Sequence, residues 1–203
     1  MNTEHKMISL GFTADKVPAG THICQIFSDD DDRNESLLRF LLSGFNEGER
    51  VACFSEKANE RSIKSFLKDN GISMDELVQK EAFALSGTRD EYFKENTFDP
   101  DRMLDLLALF HAESSEMGFT GARVIGEMTP EVQQIPGGER LLEYESRISL
   151  LLKEHPITTV CQYDAHSFDG ALIMDILKVH PLMVVRGAVV KNPFFIPPEE
   201  FLS

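Results

Sequence analysis

Hydrophobic residues in this chain fall in short, nearly unbroken runs, separated by longer stretches where they recur every three or four positions. The runs predict strands over 21–27, 50–55, 82–86, 122–128, 158–163 and 183–190. The stretches between them predict helices over 34–46, 60–70, 74–79, 101–117, 139–154 and 170–179. Runs such as Val51-Ala52-Cys53-Phe54 and Met183-Val184-Val185 are apolar without alternation, as strands covered on both faces are. Strand and helix alternate throughout. The expected fold is therefore α/β, a three-layer sandwich around a mostly parallel sheet.

Local punctuation supports these helices. Asp99-Pro100 sets a capping carboxylate before a proline at the first helical position. Met103, Leu106, Leu107, Phe110 and Met117 then fall on one stripe. Gly48, Gly71 and Gly118 each close a helical pattern, and Pro136-Gly137-Gly138 reads as a turn before the next helix. No repeat or compositional break divides the chain. It is expected to be one domain over 1–203, with a weakly specified lead-in at 1–18 and a proline-rich tail at 192–203.

Composition adds little until charge is counted. The chain has 34 acidic against 20 basic side chains, a formal charge of −14. That argues against a nucleic-acid surface and disfavours anionic lipid. No apolar run is long enough to cross a bilayer, and residues 1–6 lack a secretory pattern. Cys24, Cys53 and Cys161 lie inside apolar runs, so reduced, buried thiols in a cytoplasmic protein are expected.

The first strand runs directly into Ser28-Asp29-Asp30-Asp31-Asp32-Arg33. Nucleotide-binding α/β proteins place a glycine-rich phosphate cradle here, with a lysine; this chain has four aspartates and neither fingerprint motif. A helix N-terminus with free N–H groups favours an anion, but carboxylates in the same loop satisfy those donors and repel a triphosphate. ATP hydrolysis is not expected, and no cofactor is.

Ligand sites in such sheets lie beyond the strands' carboxyl ends. There the chain offers Asp29 to Arg33, Glu56, Thr88 and Arg89, Glu127 to Thr129, then Tyr163, Asp164 and His166. Glu127 stands where ATPases of this architecture keep an acidic residue; a ligand contact and a helix cap are equally open readings. Glu145 falls at the edge of the apolar stripe of its helix, so it needs a partner; a salt bridge to Arg123 or Arg186 competes with a functional role. Glu143 and Arg147 fit a surface pair. If their strands are neighbours, His22, Cys24 and Cys161 come together, either as buried packing or as metal ligands; packing is the preferred reading and no metal is expected. His155-Pro156 and His180-Pro181 are explained as helix ends.

The segments His22–Phe27, Val51–Phe54, Arg123–Met128, Leu142–Glu145 and Thr159–Asp164 resemble the MEDS domain, the methanogen/methylotroph DcmR-type sensory domain. His180-Pro181 and Asn192-Pro193-Phe194-Phe195-Ile196-Pro197-Pro198 extend the likeness over nearly the whole chain. The resemblance implies a RecA/KaiC-like core without a phosphate-binding loop. It also implies a cytoplasmic signal-input module for simple hydrocarbon derivatives, working with a histidine kinase or transcriptional regulator. Residues 1–203 contain no such effector region, so the partner is expected in trans, with a homodimer as a further option; Asn192–Leu202, Leu142 and Leu150 are candidate contact surfaces. The expected ligand site is His22, Asp29, Arg33, Glu127, Tyr163 and Asp164, with Glu145 behind them, for a non-enzymatic sensor. The alternatives are a nucleotide-dependent switch or weak ATPase of RecA-like fold, and a protein-interaction adaptor without a ligand.

Overall fold

A computed structural model describes residues 6–203. Seven strands form one sheet: β3 (His22–Phe27), β4 (Arg50–Phe54), β5 (Phe83–Ser86), β6 (Ala122–Glu127), β7 (Ile157–Asp164), β8 (Leu182–Val185) and β9 (Ala188–Lys191). Their order is β5-β4-β6-β7-β3-β8-β9, and every neighbouring pair is parallel except β8–β9. The predicted α/β layering and mostly parallel sheet are present.

Two apolar layers sandwich the sheet. On one face, α1 (Asp30–Asn46), α2 (Glu60–Asp69) and α3 (Met74–Gln79) pack over Ile23, Val51, Cys53, Ile125 and Val160. On the other, α5 (Pro100–Glu116), α6 (Leu141–Glu154) and α7 (Gly170–Lys178) cover Cys24, Ala52, Val124 and Cys161. A short α4 (Thr88–Tyr92) follows β5. Strand periodicity divides each strand's residues between these layers.

Helix starts follow the predicted chemistry. Asp99 accepts from the backbone N–H groups of Asp101 and Arg102, and Pro100 opens α5. Met103 and Leu107 are buried on the predicted stripe, but Met117 ends the helix and is exposed. Asp29 caps α1, which therefore begins four residues before the predicted start.

The chain ends hold more structure than expected. Residues 1–5 of the lead-in, and most of the segment read for a secretory pattern, lie outside the described residues. The rest forms a hairpin of β1 (Met7–Ser9) and β2 (Lys16–Pro18), burying Ile8, Leu10 and Val17. The single strand predicted over 183–190 is a hairpin, β8–β9. Arg186 and Gly187 both have positive φ, 49° and 76°, the requirement of a two-residue turn matched to strand twist. The tail is docked. Asn192 is buried and donates to the His180 carbonyl at 2.8 Å, and α8 (Pro198–Phe201) lies against α6. Leu142 packs on the core, so it is not a free contact surface, while Phe194 and Leu202 remain exposed.

Candidate functional site

Chain direction opens a crevice at the carboxyl edge. After β3 and β4 the chain enters the α1–α3 layer; after β6 and β7 it enters the opposite layer. Strand ends that part in this way are where such sheets bind ligands. The Lys57 ammonium occupies this edge, 3.4 Å from Asp30, 3.5 Å from Glu127 and 3.4 Å from Asp164. It also stands over the Phe27 ring. One cation thus ties the loops that follow four strands. Burial alone would lower its pKa, but Glu127, Asp30 and Asp164 outweigh that and raise it. The Asp30 carboxyl is held below its ordinary range, chiefly by its hydrogen bond to Arg33.

In the turn after β3, where the sequence has aspartates in place of a phosphate cradle, backbone donors are taken by the chain itself. One oxygen of Asp29 accepts from the N–H groups of Asp31 and Asp32, at 2.9 and 3.0 Å. Arg33 is buried, with Nε on Asp30 at 2.8 Å and one terminal nitrogen lacking a hydrogen-bond partner among the described residues. Glu127 accepts from the Ser55 hydroxyl, and its carbonyl accepts from Thr88 Oγ1 at 2.7 Å. Beside this group a cavity of about 440 Å³ opens between α1 and the β8–β9 hairpin. Gln25, Phe27, Ser36, Arg39, Val184 and Arg186 are among its walls.

A second cluster lies on the opposite face of the sheet, buried under α6. Glu145 Oε1 accepts from the Tyr163 hydroxyl. Its Oε2 lies 3.2 Å from His22 Nε2, 3.3 Å from His180 Nε2 and 3.5 Å from Cys161 Sγ. β3 and β7 are adjacent, with Cys24 opposite Cys161, so His22 and Cys161 share one face. His180, at the end of α7, completes the group: its Nδ1 lies 2.8 Å from the Ile176 carbonyl, which can only accept. The ligand atoms of His22, Glu145, Cys161 and His180 all lie within 4.8 Å of one another.

Burial, and then His180, pushes the His22 imidazole down to about 4, so it is neutral at physiological pH. Burial alone would raise the Glu145 carboxyl, yet His180 and His22 beside it hold it below the usual carboxylate range. Burial, reinforced by Glu145, pushes the Cys161 thiol well up.

The predicted residues therefore divide. Asp29, Arg33, Glu127 and Asp164 gather at the carboxyl edge, whereas His22, Glu145 and Tyr163 meet on the other face. His22 opens β3, so it sits at the amino end of its strand and not at the carboxyl edge where it was expected. Tyr163 is near the end of β7, but its ring turns back toward α6 by strand alternation. Glu145 pairs with neither Arg123 nor Arg186: Arg123 lies on the other face with Glu49, and Arg186 is exposed in the hairpin turn. Cys24 is buried beside the four-residue group but is not one of its members.

Two residues escaped the sequence reading. Lys57 sits in a loop, and only the shared topology of four strand ends reveals its role. His180 was fully explained as a helix end; its apolar approach Ile176-Leu177-Lys178-Val179 was the available sign of burial. Glu143–Arg147 is the expected surface pair, at 3.0 Å.

Among protein families, the profile described as MEDS (methanogen/methylotroph, DcmR sensory domain) matches residues 21–181. No curated protein matches the chain in sequence. The fold is similar to that of a KaiC-like protein from the hyperthermophilic archaeon Pyrococcus horikoshii OT3. That pair has a TM-score of 0.58 at 13% identity, covering 88% of this chain and 79% of the other. It is also similar to the flagellar accessory protein FlaH from Methanocaldococcus jannaschii, with a TM-score of 0.63 at 10% identity, covering 92% and 84%. At these identities the likeness is one of fold, and the fold is RecA-like.

Proposed function

The chain belongs to the MEDS sensory-domain family, and on that premise we propose a non-enzymatic cytoplasmic input module that binds a small organic molecule. The ligand, a simple hydrocarbon derivative, occupies the crevice at the carboxyl edge of the sheet. One observation supports this reading: in the turn where a RecA-like scaffold would cradle phosphate, the Asp29 carboxylate accepts from the N–H groups of Asp31 and Asp32. Asp30, Asp31 and Asp32 crowd the same turn, so a triphosphate meets repulsion instead of free N–H donors. What is left is a cavity of mixed lining, in which Phe27 and Val184 offer apolar surface while Asp32, Glu35, Arg39 and Arg186 offer polar contacts, suited to a small guest that makes both.

Lys57 supplies a route to signalling. A guest that alters its contacts with Asp30, Glu127 and Asp164 changes how four loops are tied, but a signal requires different affinity for the two arrangements. The receiving partner would be a histidine kinase or transcriptional regulator, with exposed Phe194 and Leu202 on the tail as contact points. No helix among the described residues is long and apolar enough to cross a membrane.

The test is thermal unfolding of the chain against a panel of methylated and halogenated small molecules. At least one is expected to raise Tm, and Ser36→Phe, which fills the crevice, is expected to abolish that rise. Silence across the panel, or a rise that survives Ser36→Phe, contradicts the assignment.

A further inference from the structure

We propose that His22, Glu145, Cys161 and His180 form a closed site for one transition-metal dication of zinc's class. The donors are the two Nε2 atoms, Sγ and Oε2. Imidazole, thiolate and carboxylate are the ligand types of tetrahedral zinc, and a site with four protein ligands is of the structural kind.

Geometry is the first argument. Zinc–ligand bonds of about 2.0–2.3 Å place tetrahedral donors about 3.3–3.8 Å apart. The separations from Glu145 Oε2 are 3.2 Å to His22, 3.3 Å to His180 and 3.5 Å to Cys161. Cys161 Sγ lies 3.5 Å from His22 Nε2. These four separations lie near tetrahedral edges and the other two are no longer than 4.8 Å, so four donors on three separate elements and a helix end converge on a space that a small contraction would fit to one cation.

Hydrogen bonding is the second. His180 Nδ1 faces the Ile176 carbonyl and donates to it, which leaves Nε2 as the ring nitrogen turned toward the cluster. That nitrogen is buried, has no hydrogen-bond partner among the described residues and lies 3.3 Å from Glu145 Oε2. A buried ring nitrogen without a hydrogen bond is costly, and a cation shared with the Glu145 carboxylate would satisfy it. The surrounding contacts are those that orient metal ligands. His180 is fixed by Ile176 O, His22 Nδ1 by Ser149 Oγ at 3.1 Å, and Glu145 Oε1 by Tyr163. A bound cation would also deprotonate the Cys161 thiol.

The site is independent of the crevice, being on the opposite face of the sheet, so either assignment can fail alone. The experiment uses untagged protein stripped with a chelator and titrated with Co²⁺. One equivalent is expected to bind, with a thiolate-to-cobalt charge-transfer band and the intense visible bands of a tetrahedral centre; Zn²⁺ then bleaches both. Cys161→Ala should lose the charge-transfer band. Ser149→Ala, which removes only the partner of His22, should weaken binding roughly 10–100-fold while circular dichroism stays unchanged. If Cys161→Ala fails to fold, the wild-type spectrum and the Ser149→Ala affinity decide the matter. Absence of the charge-transfer band in folded wild-type protein, or equal affinity in Ser149→Ala, overturns the proposal.

Discussion

Arg123 and Glu49 show what a buried charge demands of its surroundings. Arg123 is completely buried on the α1 face, paired with Glu49 through Nε, stacked on Phe40, and donating from one terminal nitrogen to the carbonyls of Ser9 and Phe40 at 3.2 Å each. Gly44 is required beside it, since a Cβ there would lie 2.7 Å from Arg123 Cδ. Removing one partner of such a pair leaves an uncompensated charge, so Glu49→Ala is expected to cost about 3–5 kcal/mol. Chemical denaturation measures it; a loss below about 1 kcal/mol, the value of an exposed pair, contradicts the account. Glu145 was legible in the sequence as a carboxylate on an apolar stripe. Its partners were not, because His22 and His180 are remote in sequence and only topology brings them together.

Among elements, α1 bears most on the proposed function. Its first turn holds three aspartates after the Asp29 cap, favourable toward the helix dipole yet hostile to phosphate. Asp29→Ala is expected to lower stability by about 1 kcal/mol, while Asp29→Asn, which keeps the acceptor, stays near wild type; urea midpoints separate the two. The small N-terminal hairpin is equally testable. Ile8 is fully buried under α1's layer, so Ile8→Ala should cost about 2–5 kcal/mol; a loss within about 0.5 kcal/mol, typical of surface sites, would mean the hairpin is not part of the core. Strands β3 to β7 were legible because doubly covered strands are continuous apolar runs. β1 and β2 were not, being three residues each. The β8–β9 turn was missed because Arg186-Gly187 lacks the usual asparagine or aspartate before its glycine.

At the scale of the molecule, the alternation of runs and helical stripes gave the layered α/β architecture, but not the order of the strands. That order decides which residues meet, which is why one expected site became two. It also sets the acid response. Arg140 and Arg147 link Asp101 of α5 to Glu143 of α6. Hydrogen bonds, chiefly from Arg147 to Asp101 and from Arg140 to Glu143, hold both carboxyls below their ordinary range. Depressed carboxyl pKa values stabilise above the unfolded values of about 4, and that contribution vanishes as pH falls through the folded ones. The urea midpoint should therefore drop from pH 5 toward pH 2, and Arg140→Met with Arg147→Met should flatten the drop. An unchanged slope in the double variant would contradict the linkage. The central claim is that this RecA-like fold has closed its phosphate position with its own charges. Equilibrium binding of labelled ATP with Mg²⁺ to the full chain tests it most directly. The account predicts no saturable binding at cellular nucleotide concentrations; saturable binding that is lost in Glu127→Gln would contradict it.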